Sequence, residues 1–410
     1  MKGIAIYTLT SELHDEGVVG AATEEFLDSL ELDYDFRGSD FSDFGTHALD
    51  LIYVRTGGTE GIFSRLLSDI LERTYDQHPQ RAISRHELKP LYLLTSGKSN
   101  SLAASMEILS YLKQRNMKGE IIHGSAEYIK ERIAMLQKVS KAKKELNHSK
   151  LGVIGEPSDW LISSSADYLT VRERSGIELI DIPMSELLRE IEATADFDLK
   201  MKISSKKMKE NLPGAGKIMM ALKTLVNRHG LEGLTLRCFD LLTAVKNTGC
   251  LALAHLNAEG YVAGCEGDIP AMLSMRIIRA LTGISGFQAN PSSINPETGE
   301  MVLAHCTIPL NMVERYELDT HFESGIGVAI RGYMKEGPVT IFKVSGNLQR
   351  YFVAEGELIA NEAKPDLCRT QQVIRLNDKS QANYFLTNPI GNHHIVVPGK
   401  YKKLIDDFFK

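Results

Sequence analysis

No stretch of the sequence approaches the ~18 consecutive apolar residues that a membrane span requires. Positive charge is not in excess either. Lys and Arg number 47 against 53 Asp and Glu, a net charge of −6. No basic field is available to hold a polyanion, so nucleic acid is not an expected partner. The cysteines, Cys238, Cys250, Cys265, Cys306 and Cys368, are odd in number, scattered, and without a C-x-x-C pair. That excludes a zinc ribbon and a thioredoxin motif, and reduced thiols are expected rather than a disulfide framework. No G-x-G-x-x-G opens a helix, which weighs against a nicotinamide cofactor. The segment Pro213-Gly214-Ala215-Gly216-Lys217 falls short of a phosphate loop, with Asn211 where the first Gly belongs and Ile218 where Ser or Thr belongs. Near the start, Glu12, His14, Asp15 and Glu16 interrupt any signal-peptide core. The protein is expected to be cytoplasmic, with no membrane partner.

What is present is the material of an ordinary folded protein. Of 410 residues, 43% are hydrophobic and 24% charged, enough for two or three domains with sizeable cores. Over residues 1–148 short apolar runs (1–7, 48–54, 90–94, 119–123) alternate with helical patterns at 61–74, 101–115 and 126–146. Such alternation predicts a parallel sheet with helices on its faces. The lysines of 138–150 read as a solvated helix face rather than a nucleic-acid patch. A second α/β unit, 149–285, has strands at 151–155, 177–182, 234–238 and 260–263. Its helices are expected at 184–191, 204–211, 216–229 and 270–281, with Pro213-Gly214 breaking the pattern between two of them. Beyond residue 285 long helical periods disappear and short strands alternate with Gly, Pro and Asn turns, predicting a mostly antiparallel, barrel-like domain over 286–410. The fold class expected is two Rossmann-like parallel-sheet α/β domains followed by this β domain.

Chemistry concentrates at a few points. Cys265-Glu266-Gly267-Asp268-Ile269-Pro270 closes a strand and opens a helix, with Asp268 placed to cap it and Pro270 suited to its first turn. Ligands of open α/β sheets gather at the carboxyl ends of strands, where Asp268 and, after the preceding strand, Asp240 both fall. Paired carboxylates there can hold a divalent cation and move a proton. The plainer readings are a helix cap for Asp268 and a turn residue for Asp240. His393 and His394 are adjacent ahead of the strand 395–397, so their side chains diverge and one at most joins a given site. His305 lies within an apolar strand, where a buried imidazole needs a partner or a metal. Each of these histidines also fits a structural role.

Taken together these segments resemble the L-fucose isomerase and L-arabinose isomerase superfamily, in particular its shorter fucose-isomerase-like members. The resemblance runs through Val262-Ala263-Gly264-Cys265-Glu266-Gly267-Asp268 with Ala280-Leu281-Thr282-Gly283, through Gly391-Asn392-His393, and through Gly155-Glu156-Pro157-Ser158-Asp159-Trp160. It extends over residues 90–410. It implies that Asp268 is a metal ligand and catalytic acid/base, and that Asp240 is the second catalytic carboxylate and a ligand. It further implies that His393 is the metal imidazole and His305 the additional metal histidine of the arabinose branch. The family carries Glu at the position of Asp240, and this chain is shorter. The implied activity is metal-dependent interconversion of an aldose and a ketose through a cis-enediol, with Mn²⁺ or another divalent cation such as Co²⁺. The site is expected between the middle and C-terminal domains, the substrate is a monosaccharide, and the assembly is a homo-oligomer, trimer or hexamer. A non-catalytic sugar-binding protein and a divalent-metal hydrolase or lyase acting on a sugar derivative stand as alternatives.

Overall fold

The computed structural model describes residues 3–76, 89–197, 199, 201 and 206–410. The chain divides into two compact units, one running to Lys141 with Asp407–Lys410 added, the other spanning Ala142–Asp406. The expected middle and C-terminal domains fall together in the second. Within the expected elements, Met1 and Lys2 of the first strand and Ser204 and Ser205 of one helix lie outside the described residues.

In the first unit, strands β1 (Ile4–Leu9), β2 (Tyr34–Gly38), β3 (Leu49–Val54), β4 (Leu91–Leu94) and β5 (Gly119–Ile122) form a parallel sheet in the order β2-β1-β3-β4-β5. All six residues of β1 are buried, as a central strand covered by helices on both faces requires. Arg132 on the helix Ala126–Leu146 donates to Glu120 and Asp407, which fixes the end of the chain to this unit.

The second unit opens with β6 (Lys150–Ile154), β7 (Glu178–Ile182), β8 (Gly233–Leu236) and β9 (Val262–Cys265), parallel and ordered β7-β6-β8-β9. A closed barrel follows. Its strands are β10 (Phe287–Asn295), β11 (Glu300–His305), β14 (Gly337–Val344), β15 (Tyr351–Glu362), β16 (Thr370–Leu376) and β17 (His394–Pro398), while β12 (Arg315–Asp319) and β13 (Ala329–Tyr333) pair as a separate hairpin. Every pairing in the barrel is antiparallel. The expected fold class holds: parallel-sheet α/β architecture followed by an antiparallel β barrel.

The structure adds β2 and the helices Glu16–Ser29 and Cys250–Ala258 to the expected elements, and an expected break is absent. The helix Lys206–His229 runs through Pro213 without a break. Its glycines serve close packing instead of a turn: a Cβ at Gly214 would meet the Asn247 amide at 2.6 Å, and one at Gly216 the Phe197 carbonyl at 2.2 Å. Strand β9 is the outer strand of its sheet. The Gln288 side chain accepts from the Cys265 amide (2.9 Å) and donates to the Cys265 carbonyl (3.2 Å). This barrel side chain thus pairs the strand's open edge as a neighbouring peptide would, anchoring the residue that precedes the acidic turn.

Candidate metal centre

Strand β9 ends in a turn whose backbone is tightly constrained. Glu266 and Gly267 both adopt left-handed conformations, φ +63° and +71°. Gly267 is required twice over, because a Cβ there would sit 2.4 Å from the Glu156 carbonyl and 2.7 Å from Pro157 Cα. Glu266 has no such exemption, and a non-glycine residue held in this region carries strain of ~1–2 kcal/mol. The next residue, Asp268, caps the helix Ile269–Thr282, its Oδ1 accepting from the Ala271 amide at 2.8 Å. Turning the Asp268 side chain toward its own helix leaves Glu266 to face outward from the strand end.

His305, the last residue of β11, and His393, just ahead of β17, complete a cluster with it. Among the described residues, one group of three His, Cys, Asp or Glu side chains converges closely enough to hold a metal. It comprises Glu266, His305 and His393, with one ligand atom from each within 4.8 Å of the others. Glu266 Oε1 lies 3.6 Å from His305 Nε2 and 3.5 Å from His393 Nε2. Two donors each ~2.2 Å from one ion stand ~3–4.4 Å apart, so these spacings suit a shared cation. The fit has a second mark. His393 Nε2 is buried and has no hydrogen-bond partner among the described residues, a cost that an ion would relieve.

The neighbours of the cluster fix its orientation. Asp268 Oδ2 lies 2.9 Å from His393 Nδ1, and an ionised carboxylate only accepts, so Nδ1–H donates and Nε2 faces Glu266. This is the carboxylate–histidine arrangement common behind metal ligands. Lys343 places its ammonium 3.4 Å from both Asp268 oxygens, with both side chains fully buried. Thr307 Oγ1 holds His305 Nδ1 at 3.0 Å. Trp160 donates its indole N–H to Glu266 Oε2 at 2.7 Å. Its ring meets Phe239 edge-on, and Phe239 meets His321 in the same way, giving an aromatic wall beside the carboxylate.

Charge within the cluster follows from these contacts. Burial pushes the Glu266 carboxyl up, but His305 and His393 facing it outweigh that and hold it well below the usual range. Burial acts the same way on Asp268, yet Lys343, His393 and the Ala271 amide bring it down to about 2. His305 is lowered, by burial first. His393 is also pulled down by burial, but Asp268 and Glu266 raise it from 6.5 to about 9. In the metal-free fold His393 is therefore protonated at neutral pH, and a metal must displace that proton. Mn²⁺ affinity should rise by up to about tenfold per pH unit below about pH 9 and level there. Titration calorimetry in buffers of different ionisation enthalpy should count about one proton released near pH 7.5, and release of none would contradict the assignment. In the metal-free fold the stabilisation from protonated His393 is fully present below pH 6.5 and is lost as pH rises through about 9.

The structure thus brings His305, His393 and Asp268 together and adds Glu266, which the sequence reading passed over in favour of the last acid of the same turn. Asp268 makes its contacts one layer behind the cluster. Asp240 is not part of it. It is the third residue of the helix Cys238–Val245, 52% exposed, and pairs with Arg237 at 2.9 Å. Arg237 also donates to the Pro157 carbonyl and Asp159, so Asp240 braces the loop that carries Trp160. Of the adjacent pair, His394 faces elsewhere. Its Nδ1 lies 3.0 Å from the Asn392 carbonyl and its Nε2 3.0 Å from the Tyr384 hydroxyl.

A carboxylate and two imidazoles thus converge at the carboxyl end of a parallel sheet, beside a β barrel, in an α/β protein with a candidate metal site. Residues 178–283 match the L-arabinose isomerase central domain, a segment that includes Glu266 and Asp268 and stops short of His305 and His393. The chain is 24% identical over 266 residues to sulfoquinovose isomerase of Priestia aryabhattai, covering 60% of this chain and 59% of that protein. It is 28% identical over 139 residues to sulfoquinovose isomerase of Clostridium sp. (strain MSTE9), 32% of this chain and 30% of the relative. It is 26% identical over 172 residues to L-arabinose isomerase of Yersinia pseudotuberculosis serotype O:1b, 38% and 34% respectively. These matches support an arabinose/fucose-isomerase-like superfamily for the chain. The chain spans 59% of the length of the Priestia relatives. No helix among the described residues is long and apolar enough to cross a membrane.

Proposed function

We propose that this chain is a divalent-metal-dependent aldose–ketose isomerase acting on a monosaccharide, with Glu266, His305 and His393 holding the ion. The observation that carries the reading is the convergence of one carboxylate oxygen and two imidazole nitrogens, one of them buried and unpartnered. An oxygen and two nitrogens suit Mn²⁺ or Co²⁺ better than Mg²⁺, which prefers all-oxygen sites. When bound, such an ion supplies Lewis-acid polarisation of the sugar's C1 and C2 oxygens. The relatives' names, isomerases of sulfoquinovose and L-arabinose, favour the same reaction class.

The protein's own groups divide the remaining work. Glu266 is the carboxylate of the cluster that is not committed to the helix cap, and it carries the proton between C2 and C1 of the open-chain sugar. Trp160 fixes its Oε2, and a bound sugar would stand against the Trp160–Phe239 wall. Asp268 has both oxygens engaged by the Ala271 amide, His393 and Lys343, and no exposed surface. Its role in this reading is to hold His393 with Nε2 forward rather than to touch substrate. A homo-oligomer, trimer or hexamer, belongs to the same reading.

Chelation tests it. Exhaustive EDTA treatment should abolish aldose–ketose interconversion, with Mn²⁺ or Co²⁺ restoring it better than Mg²⁺. In D₂O the substrate should acquire deuterium at C1 or C2 without cleavage. Full activity with no metal bound, or cleavage in place of exchange, would overturn the proposal.

A further inference from the structure

All five cysteines lie in the second unit as free thiols, and they form two side-chain contacts, Cys238 with Cys265 and Cys306 with Cys368. Cys238 opens the helix Cys238–Val245 beyond β8, and Cys265 closes β9, where it pairs in register with Leu236. Their Sγ atoms are 3.2 Å apart. A disulfide needs about 2.05 Å, so a shift of about an ångström joins them. Cys250 and Cys306 pack instead with Ala329, Phe322 and Cys368 in a small cluster of their own.

The position of the pair gives that shift a consequence. Glu266 follows Cys265 directly, in a left-handed conformation, and Gly267 behind it is packed against the backbone of Glu156 and Pro157. Glu266 is one peptide bond from Cys265 in a turn packed against this backbone, so movement of Cys265 bears directly on the Glu266 carboxylate. We propose that Cys238 and Cys265 form a reversible disulfide that draws Glu266 off the metal centre, with a peroxide as oxidant. Cys238, a residue 7% exposed against 3% for Cys265, attacks the peroxide oxygen through its sulfur, giving a sulfenic acid and water. The Cys265 sulfur then displaces the sulfenic oxygen as a second water. Two thiols become one disulfide and two electrons reduce hydrogen peroxide to two waters, which carry both thiol protons.

The inference rests on the metal centre proposed above, and one experiment separates the two. The full-length protein is treated with hydrogen peroxide, the excess is removed, and the product is digested without reductant and mapped by mass spectrometry. Mn²⁺ affinity is measured before and after. The expected result is a peptide pair joining Cys238 to Cys265, a fall of at least ~10-fold in Mn²⁺ affinity, and recovery with dithiothreitol. Cys238→Ala should bind Mn²⁺ as the parent does and keep that affinity after peroxide. A map lacking the 238–265 link, or a link that leaves affinity unchanged, overturns the switch while the metal centre stands. Reduced parent protein that binds no Mn²⁺ overturns both.

Discussion

Replacing Glu266 by Gln should lower aldose–ketose interconversion by at least ~100-fold and reduce Mn²⁺ affinity by 10- to 100-fold. The volume is conserved and the amide oxygen still accepts from Trp160, so the thermal midpoint should move by no more than a few degrees. What is lost is the charge facing His305 and His393 and the group able to carry a proton. Steady-state rates on metal-saturated protein separate the two losses, because saturation repairs binding and leaves the proton transfer broken. Activity within a few-fold of the parent would remove Glu266 from the reaction.

The second large effect is expected at Asp268, and it should fall on stability and metal affinity together. Asp268→Asn leaves the buried Lys343 ammonium without a counter-charge, a loss worth ~3–5 kcal/mol when one partner of a buried pair is removed. It also exchanges the charged acceptor of His393 Nδ1–H for a neutral amide, which weakens the hold that keeps Nε2 forward and lowers Mn²⁺ affinity 10- to 100-fold. The two consequences can be divided. Asp268→Asn combined with Lys343→Met removes both members of the ion pair and should recover much of the stability while leaving Mn²⁺ binding weak. Denaturant unfolding and metal titration on the three proteins check this. A double variant that regains full metal affinity would mean Asp268 acts only through the fold.

The fold class was legible because its signals are local. Apolar runs with Gly turns announced the strands of both parallel sheets except β2, an edge strand whose Tyr34-Asp35-Phe36-Arg37-Gly38 carries no apolar run, and the change of texture after residue 285 announced the barrel. Pro213-Gly214 misled because its glycines answer to Asn247 and Phe197, neighbours distant in sequence that a helical pattern cannot reveal. The site was half legible for the same reason. Asp268 was reachable from its place at a strand's carboxyl end, His305 as an imidazole within an apolar strand, and His393 from the Asn-His pair ahead of one. The placement of Glu266 in the cluster with Asp268 behind it was not, since it depends on the left-handed turn and on the contacts of Glu156, Pro157 and Lys343. One signal was available: an Asp at a helix N-cap spends an oxygen on its own helix, so the acid two residues earlier is the freer ligand. Asp240 shows the converse. Its place after a strand matched the rule for ligand sites, but Arg237, three residues before it on the same helical turn, claims its carboxylate.

The most direct test of the central claim is an anomalous-difference map from crystals of the protein loaded with Mn²⁺. The account predicts a strong peak within ~2.0–2.3 Å of Glu266 Oε1, His305 Nε2 and His393 Nε2, with Asp268 behind His393 and out of contact. A peak held by Asp240 or directly by Asp268, or no peak at Glu266, would contradict it.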